Sequence, residues 1–304
     1  MALAQDLRVA LWHAPVTRNG PGLLLRDLAN RDEQLVTFAN EIQSADADIV
    51  VLTRFDFDAS GQTLAAFADL IDGGYAFAIP LRSNAGVPTL ADMDSDGRFG
   101  EPEDSQAFGR FPGEEALAIL SRYPTFHTEV RSFNDLLWRD VPDGLMAESD
   151  TGRDTQRLSS GGHWIVPVEI GAQGHAHRLS LLVGHAGPPV FDGPEDRNGR
   201  RNRDELRLWE QIIGQVDRPY LFTANTNLDP DRGDGYRDAM AEFLSAQHVN
   251  DPLAGQTTAH WDTPGPMRVS YVLPSPDLGV VDAKVLPVLQ DQHHSLITVD
   301  LTLP

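Results

Sequence analysis

The chain has 304 residues, enough to bury a large core, and its 45 acidic and 24 basic residues give a net charge of -21. Such a field repels nucleic acid and anionic membranes, so any anionic ligand needs a local basic pocket. The chain has no cysteine, which excludes disulfides, thiolate nucleophiles and cysteine-held metals. No apolar run approaches the ~18 residues of a membrane span.

In chain order, Ala2-Leu3-Ala4 before Gln5 matches the tail of a secretory cleavage site and predicts a secreted or periplasmic protein; an ordinary cytoplasmic start is the alternative. Short apolar runs bounded by turn residues predict strands at Leu7 to Trp12, Asp48 to Leu52, Leu117 to Leu120, Leu179 to Val183, Tyr220 to Ala224, Val269 to Leu273 and Ser295 to Val299. Helical patterns lie between them at Arg31 to Ser44, Gln62 to Ile71, Arg201 to Ile213 and Tyr236 to Ala246. Strands and helices alternate only in part, and long loops at 80–113 and 140–160 interrupt them. That order predicts one α/β domain over residues 1–304, with two packed sheets flanked by helices rather than a doubly wound parallel sheet. The segment 186–202 is also too polar and too long for a simple connection.

Several segments, in order, resemble the endonuclease/exonuclease/phosphatase family. They are Arg8-Val9-Ala10-Leu11-Trp12-His13, Asp48 through Asp56, Ala118-Ile119-Leu120-Ser121-Arg122-Tyr123-Pro124 and Leu182-Val183-Gly184-His185. Ala224-Asn225-Thr226-Asn227-Leu228-Asp229-Pro230, Arg268-Val269-Ser270-Tyr271 and Asp291-Gln292-His293-His294 fall where that family has its Gly-Asp-x-Asn, Arg-x-Asp-Tyr and Ser-Asp-His signatures. Phe108 through Gly113, His163-Trp164 and Pro188 through Asn202 are similar to a bacterial branch with phytase-like esterase activity. The resemblance implies a four-layered sandwich of two mixed sheets flanked by helices, with the site at the sheet tops, and phosphoester hydrolysis assisted by Mg²⁺ or Mn²⁺. Such a site needs oxygen ligands for the ion, a carboxylate for the attacking water, and neutral or cationic donors for the phosphoryl group.

Against that pattern the carboxylates are gone. His13 stands for the metal-supporting Asn, Arg54 for the metal-binding Glu, and Asn225, Ser270 and Gln292 for three Asp residues. The resemblance keeps His185, Asn227 and His293 as the residues that bind and polarise a phosphoryl group. Arginine stays protonated and cannot ligate a cation. Relative to the family pattern the local charge rises by about five units, which disfavours the expected Mg²⁺ or Mn²⁺. The predicted site is therefore an anion pocket made by His13, Arg54, Arg110, His163, Arg197 and Asn225, taking a small anionic or phosphorylated ligand in a catalytically impaired protein. In another reading Arg54 pairs internally with Asp56, Asp291 or another acid and the cleft is a relic. In a third, a rearranged metal site built on Asp56 or Asp291 with His13 keeps hydrolysis.

Two further motifs stand apart. Asp92, Asp94, Asp96, Gly97 and Glu103 match the spacing of a calcium loop, without a helix to enter it, and suggest a calcium-stapled loop or an acidic interaction surface; chance clustering in an acidic chain is the alternative. The run Arg197-Asn198-Gly199-Arg200-Arg201-Asn202 either guides a phosphorylated ligand or pairs internally with the acids around it. Nucleic-acid binding through this run is opposed by the global charge. His293 and His294 are adjacent on an extended segment and face opposite ways, so one zinc ion cannot take both. His175 and His177 share a face in an expected hairpin turn.

Overall fold

The computed structural model describes residues 6–171 and 176–304; the Ala2-Leu3-Ala4 start and His175 lie outside the described residues. The first part runs Asp6–Val16 (β1), Leu23–Ala29 (α1), Glu33–Ala45 (α2), Ile49–Phe55 (β2), Gln62–Ile71 (α3), Phe77–Leu81 (β3), Ala116–Ser121 (β4), Arg131–Ser132 (β5) and Gly162–Ile170 (β6). The second runs His177–His185 (β7), Arg197–Ile213 (α4), Tyr220–Asn225 (β8), Arg237–Ser245 (α5), Ala259–His260 (β9), Pro266–Met267 (β10), Ser270–Pro274 (β11), Gly279–Val285 (β12) and Ile297–Thr302 (β13).

Two large mixed sheets result, ordered β12-β13-β1-β2-β4-β3 and β11-β8-β7-β6-β5, beside a small β9/β10 ribbon. Among the named strands of the described residues, only β1/β2 and β7/β8 pair in parallel. Alternation along the strands assigns the layers. Leu7, Val9, Leu11, Ile49 and Val51 of the first sheet meet Leu179, Leu181, Val183 and Val272 of the second in one core between the sheets. The intervening Ala10, Trp12, Val50 and Leu52 pack outward on α1, α2 and α3. Leu182, Phe222, Tyr271 and Leu273 pack outward on α4 and α5. The outcome is the helix–sheet–sheet–helix sandwich that the resemblance implies. Among the described residues no helix is long and apolar enough to cross a membrane.

Local chemistry explains the boundaries. Asp32 caps α2 by accepting from Gln34 and Leu35 N–H, and Leu35, Phe38, Ala39 and Ile42 bury one face at helical spacing. Helix α4 starts four residues before the expected Arg201, because the basic run forms its first turn instead of a loop. Gly199 suits that turn: a Cβ there would meet Asp196 Oδ1 at 2.1 Å. Strands β3 and β12 escape the apolar pattern because both are sheet edges, β3 carrying Pro80 and β12 exposing Val280 and Val281.

Candidate functional site

The carboxyl end of β2 is bent out of register. Pairing of β2 with β4 shifts between Thr53 and Phe55, and Arg54 adopts a left-handed φ of 66°. Glu115, immediately before β4, is also left-handed at φ 47°. Such conformations cost a non-glycine residue on the order of 1 kcal/mol or more. Together they turn the two side chains toward each other, and Arg54 donates from Nε (3.0 Å) and Nη2 to Glu115 Oε1. Arg54 Nη1 has no partner among the described residues.

Three imidazoles surround this ion pair. His13, at the end of β1, lies 4.9 Å from the His185 ring at the end of β7 and 4.3 Å from the His294 ring before β13. His13 Nδ1 shares a 2.7 Å hydrogen bond with Thr53 Oγ1. Burial, reinforced by the Arg54 charge, pushes His185 and His294 down to about 3. His13 is held well below its usual range, first by burial and then by its two imidazole neighbours and Arg54. All three are neutral at physiological pH. The Nδ1 atoms of His185 and His294 are sealed from solvent without a partner.

The second sheet contributes a neutral chain of hydrogen bonds. Ser270 Oγ donates to Asn225 Oδ1 (3.0 Å), Asn225 Nδ2 to Asn227 Oδ1 (2.9 Å), and Asn227 Nδ2 to the Ala186 carbonyl (2.8 Å). The β-register forces this grouping, since His185 and Ser270 both lie opposite Asn225. Where the resemblance expects carboxylates, the amides and hydroxyl satisfy one another.

The other expected positions fall out differently. His294, and not His293, completes the imidazole cluster; His293 is exposed, with Nδ1 3.0 Å from the His260 carbonyl. Successive side chains on an extended segment alternate in direction, which turns His294 inward and His293 outward. Gln292 sits in the turn that precedes, its N–H bonded to Leu289 O. His163 is removed from the pocket: fully buried, it bonds Ser159 Oγ at 2.7 Å and the Glu205 carbonyl at 2.8 Å, and burial lowers it to about 4. Arg110 does not line the cleft and pairs with Glu114 at 2.5 Å. The acid that meets Arg54 is Glu115, not Asp56 or Asp291. Asp56 is turned to Thr17 Oγ1 and the Arg18 and Glu115 amides, and burial raises it to about 6.

A cleft of about 890 Å³ runs from His185 and Glu115, between the long loop after β3 and the segment after β7, to Arg197 and Arg201 on α4. The carboxylates of Asp92, Asp94 and Asp96 come within 4.8 Å of one another on that loop, whereas Glu103 is not part of the group and lines the cleft instead. Asp92 accepts from the Asp96 and Gly97 amides (3.1 and 2.9 Å), so the triad also folds its own turn.

These residues do not fit the family's Mg²⁺ or Mn²⁺ at the sheet tops. The nearby donors are neutral nitrogens and amides, Glu115 is engaged by Arg54, and the guanidinium repels a cation. Among the described residues, the only set of three acidic or histidine side chains close enough to share an ion is the Asp92, Asp94, Asp96 triad.

A profile of the Endonuclease/Exonuclease/phosphatase family matches residues 17–291. Comparison with curated proteins gives no significant match. Among solved structures, an endonuclease/exonuclease/phosphatase from Beutenbergia cavernae superposes with TM-score 0.63 at 18% identity, over 98% of this chain and 72% of that one. A family protein from Bacteroides thetaiotaomicron gives 0.59 at 14% identity, over 99% of both chains. A mannosyl-6-phosphatase from the same organism gives 0.52 at 13% identity, over 97% of this chain and 99% of that one. At these identities the superpositions establish the fold alone. With the profile spanning most of its length, the chain belongs to the endonuclease/exonuclease/phosphatase family.

Proposed function

We propose that this protein is a catalytically impaired member of its family that holds a small phosphorylated or otherwise anionic ligand in the cleft without a metal. The Arg54–Glu115 pair amid three neutral imidazoles carries this reading. Hydrolysis by metal-bound water needs a cation where a cation now stands, and a carboxylate where Ser270, Asn225 and Asn227 bond one another. Binding requires less. The free Nη1 of Arg54 and ring N–H groups of the neutral histidines can donate to a phosphoryl oxygen, while Glu115 competes for the guanidinium and holds it in place when no anion is bound.

The test is turnover of a generic phosphodiester and a phosphomonoester with Mg²⁺, Mn²⁺ or EDTA. It is run beside a variant carrying Arg54→Glu, Asn225→Asp, Ser270→Asp and Gln292→Asp. The expected result is no EDTA-sensitive turnover by the natural chain, together with saturable binding of inorganic phosphate. Metal-dependent turnover by the natural chain favours the rearranged-site reading and overturns this one.

The Asp92, Asp94, Asp96 triad supports a second, separate reading in which calcium staples the loop that walls the cleft. A calcium-dependent rise in melting temperature, lost in Asp92→Asn/Asp96→Asn, tests it.

A further inference from the structure

In the same cleft, Arg197 and Arg201 stand one turn apart on α4 and both line the cavity. Among the described residues neither guanidinium has a carboxylate within ion-pair distance, and carbonyls take their place. Arg197 Nη2 donates to Thr151 O (2.6 Å) and Gln156 Oε1 (2.5 Å), while its Nε is sealed in without a partner. Arg201 is only 7% exposed. Its Nε donates to Leu158 O (2.8 Å), and its Nη2 to Gln106 O (2.7 Å) and Arg157 O (2.9 Å). Arg201 Nη1 has no partner among the described residues and, unlike Arg197 Nε, is not sealed from solvent.

As a structural device this arrangement is poor. Like charges four residues apart on a helix repel. The first turn of α4 holds no acid, so Arg197 sits where the helix dipole favours anions. Desolvated cations are normally paired. The acids nearby are engaged elsewhere: Asp150 with Arg200 (2.8 Å), Asp192 with the Asn198 amide, Glu195 with the Gly193 amide (3.1 Å), and Glu205 with the Ser160 and Gly187 amides. These four acids line the cleft together with Asp94 and Glu103.

We infer that Arg197 and Arg201 form a second anion subsite, which takes a phosphate or carboxylate group of a small molecule lying along the cleft. A planar oxyanion edge matches the free Nη1 of Arg201 and supplies the direct ionic partner that neither guanidinium has among the described residues. The inference goes beyond the proposed function and does not require the histidine end to bind.

The experiment is a titration of the ¹⁵N-labelled full chain with inorganic phosphate and, separately, acetate, following the arginine Nε–Hε signals against a chloride control of equal ionic strength. Arg197→Lys, Arg201→Lys and Arg54→Lys assign the three arginine signals, and a thermal melt confirms that each variant is folded. Saturable movement of the Arg197 and Arg201 signals, persisting in Arg54→Lys and weakened about 10-fold in Arg197→Gln, is the expected result. Phosphate acting alone assigns a phosphoryl group, and acetate acting as well assigns carboxylates too. Fixed Arg197 and Arg201 signals, or movement matched by chloride, overturn the subsite whatever Arg54 does. A response confined to Arg54 leaves the proposed function standing, whereas a response confined to Arg197 and Arg201 removes the histidine end and keeps this subsite.

Discussion

At the sheet tops, a guanidinium meets a carboxylate from the neighbouring strand, three imidazoles stay neutral, and two amides and a hydroxyl close on one another. On α4, two guanidiniums meet only carbonyl oxygens. His185 and Glu115 of the first region and Arg197 and Arg201 of the second line one cleft. The difference lies in whether an internal acid has already taken the arginine fork. A charge count by residue type gives the sheet tops a strongly positive pocket, and Glu115, adjacent to Arg54 only through the β2/β4 pairing, cancels the arginine's charge.

The largest effect expected from breaking this contrast is on stability. Arg201→Met leaves buried carbonyls of Leu158, Gln106 and Arg157 without donors and is expected to cost about 3 kcal/mol or more in urea denaturation. Arg54→Met, whose ion pair is about a third exposed, is expected to cost at most about 1 kcal/mol. Equal costs would erase the distinction between the two ends.

The second effect is a difference in pH dependence. His185 and His294 are lowered to about 3 by burial and then by Arg54, so their neutral forms contribute stability above the ordinary value of 6.5 that is lost as pH falls toward 3. Glu205, beside Arg201, is raised to about 7, mainly by burial. Its contribution is present below the ordinary value of 4.5 and is lost as pH rises through about 7. Between pH 5 and 6.5 the two ends therefore pull in opposite directions. Denaturation midpoints across pH 4 to 8 should show Glu205→Gln rising more steeply with pH than the natural chain, and parallel curves would refute the assignment.

A smaller effect sharpens the comparison at the histidine end. Glu115→Gln releases the Arg54 fork, and phosphate binding there should tighten about 10-fold while the Arg197 signal keeps its own affinity. Smallest is the calcium response: a rise of about 2 °C in melting temperature at saturating calcium, absent in Asp92→Asn/Asp96→Asn.

What the sequence determined follows from local patterning. Two-sided apolar runs such as Ile49 to Leu52 and Tyr220 to Ala224 place central strands, and the spacing of Leu35, Phe38 and Ile42 places a helix face. The ordered motif segments identify the family and the fold class, and the resemblance implies carboxylates where Arg54, Asn225, Ser270 and Gln292 stand. The edge strands and the start of α4 are less visible, because edges need no apolar alternation and Asn198-Gly199 lowers helix propensity. Side-chain partners are decided by tertiary structure alone. The β-bulge turns Arg54 onto Glu115, strand alternation puts His294 on the imidazole cluster and His293 in solvent, and packing seals His163 under Glu205. These contacts join residues tens to hundreds of positions apart, whose meeting depends on register and on bends that no local pattern encodes.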